Sequence, residues 1–354
     1  MAVLALVVAA AVMLTNLAVV GQLFLEGTSD TWSHLASTVL PEYLWSTLWL
    51  CLGVALGTAS MGVGAAWLVT RYDFAGRSAM EWALVLPLAV PAYVMAYTYT
   101  DLLQFVGPVQ TALREAFDWR RGDYWFPDVR SLGGAVLLFS FVLYPYVYML
   151  ARTAFLERAG GMLEVGRSLG LGPWGSFWRV SLPLARPAIA GGVALALMET
   201  LADFGAVSYF GVQTFTTGIY RAWFSLGDRV AAAQLASALL GFVLLVLMFE
   251  RLSRGRARFH DTTLRRSAFM ARRLPRGWGL LALVACLIPL ALGFLLPAGV
   301  LLHMAITEGD AQFGARFIEL ARNSVLVSGL TAFFAVVLAV LLAYAARLNP
   351  GWLV

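Results

Sequence analysis

The stretch Leu163–Pro187 reads LEVGRSLGLGPWGSFWRVSLPLARP and stands between two long apolar runs. In helical register Met162, Val165 and Leu169 share one face, and Gly170 falls where a left-handed residue closes a helix. Pro173 suits a first helical turn. It opens a second short helix that sets Trp174, Phe177 and Trp178 on one side at i, i+3, i+4 spacing. That helix is expected to end before Pro183, because proline cannot donate to the helical ladder. The spacing therefore predicts two short amphipathic helices joined by a tight glycine turn inside a connection running from Phe155 to Pro187. Such a pair either lies at headgroup level with its tryptophans in the interface or sets an apolar stripe into a groove on a partner protein.

Outward from this stretch the chain is greasy. Of 354 residues 60% are apolar and 13% charged, and mean hydropathy is +0.78. Soluble domains carry far more charge, so this is an all-α polytopic membrane protein. Runs of about 20 apolar residues fall near Ala2–Phe24, Leu44–Thr70, Trp82–Phe105, Leu132–Ala154, Ala188–Tyr209, Val230–Phe249, Leu280–His303 and Ser324–Ala346. All 25 basic residues are arginine. Without lysine there is no phosphate-cradling loop ending in Gly-Lys-Ser/Thr and no Schiff base, so nucleotide hydrolysis belongs to another polypeptide. No cofactor is expected on this chain. Cys51 and Cys286 both lie in apolar runs, which argues against a disulfide framework or a cysteine metal site.

Positive residues stay in the cytoplasm. With the N-terminus inside, about 17 of the 25 arginines fall at inner positions and about 8 at outer ones, and Phe155–Pro187 becomes a cytoplasmic loop. No basic residue precedes Arg71. A cleaved leader over Met1–Val20 is the competing reading, but it lacks a charged start and a small-x-small cleavage site.

The loop carries a specific spacing. Glu164, then Gly170 six residues on, then nine residues, then Val180-Ser181-Leu182-Pro183 resembles the loop motif of ABC importer permeases: Glu-Ala-Ala, three residues, Gly, nine residues, Ile-x-Leu-Pro. Val165 and Gly166 stand for the two alanines and Val180 for the isoleucine, while Glu164, Gly170, Leu182 and Pro183 match. The resemblance implies a coupling helix that inserts into a groove on an ATPase subunit. Met162, Leu169 and Trp174 would give it apolar contacts, Glu164 a charged or capping contact, Gly170 the turn pivot, and Leu182-Pro183 a rigid return to the membrane.

Two stretches repeat a pattern. Ser46–Arg71 (STLWLCLGVALGTASMGVGAAWLVTR) and Asn323–Arg347 (NSVLVSGLTAFFAVVLAVLLAYAAR) each open on a polar pair, run through small apolar residues and end on arginine. The expected organisation has four parts. Residues 1–43 hold a first span and outer loop, and residues 44–250 a permease unit with its coupling loop at 155–187. Residues 251–278 form a basic linker, and residues 279–354 the first two spans of a second copy. No second coupling loop precedes Val354, so the second copy is expected to be cut short. The linker holds nine arginines. At an inner membrane face such a run satisfies the positive-inside rule and touches anionic headgroups; no nucleic acid is expected.

Substrate clues come from polar groups inside spans, where an ionisable side chain costs about 2.5–3.5 kcal/mol on insertion scales. Glu199 and Asp203, four apart, are expected on one helix face, where they would attract cations. Alternatively they bond neighbouring helices or Arg221 and serve packing. PAYVMAYTYTD, ending at Asp101, and SFVLYPYVYML, with Tyr144, Tyr146 and Tyr148, add phenol and carboxylate oxygens. Those are hard ligands of the kind that suit Fe³⁺, although tyrosines near span ends also form ordinary interface belts. His34, His260 and His303 are isolated, so no stable metal site and no catalytic constellation is expected.

The segments ETLADFG, YFGVQTFTTGIYRAW and LGDRVAAAQLASALL carry a narrower resemblance, to the permeases of bacterial ferric-iron ABC importers. It runs from about Leu44 onward and is strongest from Glu164 to Arg273. It implies an inner-membrane transport subunit, not an enzyme, that receives ferric iron from a periplasmic iron-binding protein and is driven by two ABC ATPase subunits. Glu199, Asp203, Asp101 and Tyr144 are then the path candidates. Permeases for thiamine, polyamines, sulfate or phosphonate share the loop. An ion-coupled secondary transporter also uses repeats and midplane carboxylates, but has no use for an inner loop at this spacing.

Overall fold

The computed structural model describes residues 2–21, 37–168, 170–254, 272–307 and 314–348, and nearly all of them are helical. The chain divides into two units, Thr28–Leu301 and a smaller one made of Met1–Gly27 with Leu302–Val354. In the smaller unit α1 (Ala2–Gly21) packs on the last helix of the chain, Ala315–Leu348. Among the described residues six helices are long and apolar enough to cross a membrane, or seven if one sharply bent pair counts as a span.

The large unit begins with α2 (Leu40–Arg71), followed by strand β1 (Tyr72–Asp73) and the short α3 (Arg77–Ala83). A 3₁₀ turn over Leu86–Ala89 leads to α4 (Ala92–Leu103), and α5 (Pro108–Phe117) follows. The continuous third span expected over Trp82–Phe105 is therefore broken, with its two legs meeting at 91°. Pro87 and Pro91 supply no N–H, and Val90 and Pro91 both take extended backbone, so the helical ladder stops and restarts there.

Helix α6 (Leu132–Ser168) runs 37 residues, about 55 Å at 1.5 Å per residue, well beyond a bilayer core of about 30 Å. The first short loop helix predicted from Met162 is in fact the uninterrupted end of this span. A helix leaving the membrane keeps its hydrogen-bond ladder, and nothing before Gly170 forces it to stop. The second is likewise not free-standing: α7 (Pro173–Ser176) passes through a π turn at Phe177–Ser181 into α8 (Leu182–Ala202). It does not end before Pro183, because the wide turn has already shifted the ladder, with the Leu182 N–H donating to Phe177 O. Beyond α8 lie α9 (Gly205–Tyr209), α10 (Phe215–Tyr220) and α11 (Arg229–Arg254). Strand β2 (Arg272–Arg273) then leads to α12 (Arg276–Leu290), α13 (Leu296–Thr307) and α14 (Ala315–Leu348).

Helix α6 is the centre of the large unit, packed by α2 on one side and α8 on the other. In lipid there is no hydrophobic drive between helices, so close association needs small residues at the contact. Glycines provide it. A Cβ added at Gly62 of α2 would come within 2.7 Å of Val147 Cβ and 2.8 Å of Tyr148 N, and one at Gly192 of α8 within 2.7 Å of Val147 Cα. The main chain around Val147 is thus held between two helices at backbone distance.

Where these spans meet the Phe177–Ser181 turn, Trp67, Phe155 and Phe177 form an aromatic cluster with ring centroids 5.5 and 5.0 Å from Trp67. Beside it Glu81 joins α3 to α6. Its carboxylate pairs with Arg152 at 2.8 Å and Arg77 at 3.2 Å, and its carbonyl accepts the Tyr148 hydroxyl at 3.0 Å. Glu81→Ala leaves Arg152 half-buried without its anion. A loss of about 1–2 kcal/mol is expected, read as a lower Tm for purified protein.

The span after the basic linker packs on this same unit. β2 pairs in parallel with β1, Tyr72 opposite Arg272 and Asp73 opposite Arg273. Cys286 of α12 is fully buried in the cluster that holds Val63, Trp67 and Tyr144. The Tyr99 hydroxyl donates to Leu292 O. The span read as opening a second copy is therefore core to the first unit.

Candidate functional site

Two features concentrate chemistry: the turn between α6 and α7, and the exposed face around the far end of α8. At the turn Gly170 has φ +78°, a conformation that glycine adopts without strain. Among the described residues nothing lies within 4 Å of where its Cβ would stand, so the requirement shown there is conformational. The Ser176 N–H donates to Gly172 O at 2.9 Å and closes the first turn of α7.

Beyond the turn the three expected face-mates stay in ring contact, Phe177 lying 6.1 Å from Trp174 and 5.1 Å from Trp178 between centroids, but they differ in burial. Phe177 is buried against Trp67, whereas Trp174 is 73% exposed and Trp178 59% exposed. Inward packing of Phe177 seats the loop on the span ends and turns both indoles outward. Leu182 and Pro183 are half-buried where the rod re-enters the unit. Met162 and Glu164 fall on the last turns of α6, and their side chains lie outside the described residues, as does Leu169 altogether.

The path candidates separate. Helix α8 ends at Ala202, and Asp203 is extended with its N–H on Glu199 O. The Asp203 carboxylate accepts the N–H groups of Ala206 at 2.8 Å and Val207 at 3.3 Å, capping α9. Asp203 is thus the residue that closes the last turn of α8 over Glu199, with its carboxylate taken up by α9. Phe204 and Gly205 follow a break that lets the chain fold back, so the fifth span stops short of the expected Tyr209. Tyr144 is fully buried between helices, with its hydroxyl unpaired among the described residues, because Gly62 brings α2 against its backbone. It faces no open surface. Asp101 is half-buried near the end of α4.

Glu199 stays exposed on α8, with the Tyr146 phenol within interaction range. A carboxylate on an exposed span face is not stable against hydrocarbon, so this face meets water or protein. Tyrosines not singled out by the sequence reading line the same end of the unit. Tyr93 and Tyr97 stand one turn apart on α4, in line with Asp101, and are 58% and 41% exposed. The Tyr97 ring lies 6.4 Å from that of Tyr209, and a Cβ on Gly205 would meet Tyr93 Cβ at 2.9 Å. The i, i+4, i+8 spacing of 93, 97 and 101 is legible in the sequence. Their meeting with Tyr209 is not, because it depends on the break at Asp203. Among the described residues no group of three His, Cys, Asp or Glu side chains is placed to hold a metal ion.

These features, broken third span, glycine turn beyond long spans and folded-back fifth span, describe a polytopic permease. Residues 58–258 match the family described as "Binding-protein-dependent transport system inner membrane component". The chain belongs to that family, a family of transport subunits rather than enzymes. It is 29% identical over 315 residues to "Fe(3+)-transport system permease protein FbpB 2" of Haemophilus influenzae, an alignment covering 87% of this chain and 57% of that protein. The chain thus spans little more than half the length of that relative. It is also 30% identical over 234 residues to "Molybdenum transport system permease protein ModB" of Escherichia coli K12, covering 62% of this chain and 99% of that one. A solved bacterial ABC transporter involved in the import of the acidic polysaccharide alginate superposes with a TM-score of 0.53 at 16% identity. That match covers 65% of this chain and 84% of the other, and it is a likeness of fold.

Proposed function

We propose that the chain is the membrane subunit of an ATP-driven importer that takes ferric iron from a periplasmic binding protein and passes it to the cytoplasm, with its N-terminus inside. ATPase subunits engage the turn between α6 and α7. The exposed Trp174 and Trp178, offered beyond the span ends by a rigid glycine turn, suit a helix-in-groove contact. Closure of the ATPases on ATP would move this turn, and the glycine-packed α2, α6 and α8 would carry the motion as rigid rods to the outer ends.

The observation that carries the substrate reading is the exposed strip of Tyr93, Tyr97 and Tyr209, with the exposed carboxylate of Glu199 on α8. Carboxylate and phenol oxygens suit a small, highly charged cation, and a carboxylate at this depth repels anions such as molybdate or sulfate. The strip would receive the ion as substrate and not hold it as a resident metal.

The test is ATP-dependent uptake of radiolabelled ferric iron by proteoliposomes. They would hold the protein encoded by the complete gene, its ATPase and its binding protein, with labelled molybdate and sulfate run in parallel. Iron entry that requires ATP is expected, with neither anion entering. Molybdate or sulfate entry instead would keep the permease and remove iron as its substrate. Glu199→Gln is expected to lower iron uptake about tenfold, equivalent to about 1.4 kcal/mol, while ATP hydrolysis still responds to the loaded binding protein. An unchanged uptake rate would take Glu199 out of the path.

A further inference from the structure

The knee where α8 gives way to the folded-back segment holds a small cavity, lined by four threonines and four apolar residues, that neither the coupling turn nor the exposed strip uses. Four elements build it: Thr47 and Leu50 from α2, Thr200 and Leu201 from α8, Thr214, Phe215 and Thr216 from the start of α10, and Leu239 from α11. Its free volume is about 10 Å³, room for about one water molecule. Threonine supplies half of its lining.

The hydroxyl accounting is nearly complete. Thr216 donates to Asp203 O at 2.8 Å, so in the 2.9 Å contact between Thr214 and Thr216 the Thr214 hydroxyl is the donor. Thr214 in turn accepts the Thr217 N–H in a capping box. Thr200 donates to Ala196 O at 2.9 Å and keeps its lone pairs. Thr47 stands outside this chain of bonds. It is 99% buried, with 1% of its surface exposed; the residue lines the cavity, and its hydroxyl has no hydrogen-bond partner among the described residues.

We propose that this cavity is a water-binding site in which one resident water joins α2 to the knee, accepting from Thr47 and donating to Thr200 and to the Thr214–Thr216 pair. That gives the water three hydrogen bonds, the usual number for a buried one, and removes the penalty of a buried unpaired hydroxyl. A cation is disfavoured because the lining carries no carboxylate and the one free group is an O–H seeking an acceptor. The water belongs to the joint that sets Asp203 and α9, whichever solute the protein carries.

Three measurements on full-length protein in lipid nanodiscs test it. A density map that resolves ordered water is expected to show a peak within hydrogen-bond distance of Thr47 Oγ1 and Thr200 Oγ1. Thr47→Val is expected to lower Tm by about 2–4 °C, because the water loses a partner. Thr200→Val should do likewise, and the double variant should lower Tm no further than the larger single, since one water can leave only once. A dry cavity predicts the reverse sign, because Thr47→Val then relieves an orphaned hydroxyl and raises Tm. A rise in Tm, additive single effects, or an absent peak would each overturn the proposal. So would a Tm that shifts on exchanging sodium for potassium, which would place a cation there.

Discussion

Gly170→Val is expected to abolish ATP-driven uptake while leaving membrane insertion and thermal stability close to those of the parent. Gly170 sits at φ +78° with open space around its Cβ position among the described residues, so a valine there meets none of them and is opposed by its own backbone. That opposition is about 1–2 kcal/mol for a side-chain-bearing residue, and a β-branched one is a genuine outlier in this region. Such an energy shifts the population of the tight turn by about 5–30-fold. The turn joins two long rods, so re-routing it swings Trp174 and Trp178 away from their presented position. Gly170→Asn, which tolerates the left-handed region, is expected to retain most uptake. Transport in proteoliposomes and a melt of the same preparations check both. Parent-level uptake by the valine variant would remove this turn from the coupling role.

The second large effect is on stability. Gly62→Ala is expected to lower Tm strongly and Gly62→Val to prevent recovery of folded protein, although Gly64→Ala two residues away raises Tm slightly. Both glycines lie in α2, and alanine is the better helix former by about 0.8–1 kcal/mol. At Gly64 nothing stands within 4 Å of an added Cβ, so that gain is realised. At Gly62 the added carbon meets Tyr148 N at 2.8 Å and Tyr144 O at 2.9 Å. Main-chain atoms inside a helix cannot step aside, so α2 and α6 must separate, and overpacking of this kind costs about 1–3 kcal/mol or more. Shortening Val147 to alanine is not expected to rescue Gly62→Val, because the obstructing atoms are backbone. Melts of the single and double variants in one detergent decide the point.

The parts of the site that could be read in advance were local ones. The left-handed glycine at position 170 follows from a helix end that only glycine closes cheaply, and it stands in the fold as expected. The spacing of Tyr93, Tyr97 and Asp101 was equally available. At Asp203 the four-residue spacing did place the residue one turn beyond Glu199, but gave no sign that its carboxylate would be taken up by the next helix. Here the aspartate itself ends the helix, by offering its carboxylate to the N–H groups of Ala206 and Val207. Tyr144 misled for a different reason. A tyrosine in an apolar run looks the same whether it faces a path or a neighbour, and Gly62 on another helix decides that it is buried. Phe177 was grouped with Trp174 and Trp178 by periodicity and does touch both rings; what the spacing did not give is that Trp67 buries it while the two indoles stay exposed.

Composition and the spacing of apolar and charged residues were sufficient to establish a polytopic all-helical membrane protein. A bilayer leaves most spans to satisfy their own backbone within one helix, so length and hydropathy locate the apolar runs, though not the break inside Trp82–Phe105 or the end of the fifth span at Ala202. The loop motif carried the family in the same way, because a turn and its flanking contacts are written in consecutive residues. Only the tertiary structure decided which helices touch: that the chain's first helix packs on its last, that the span after the linker completes the core of the first unit, and that Val147 lies between Gly62 and Gly192. The last two of those choices rest on glycines: a Cβ added at Gly62, Gly192 or Gly293 would stand less than 3 Å from main-chain atoms of α6. Apolar runs look alike to the hydrophobic effect, and close packing alone distinguishes one partner from another.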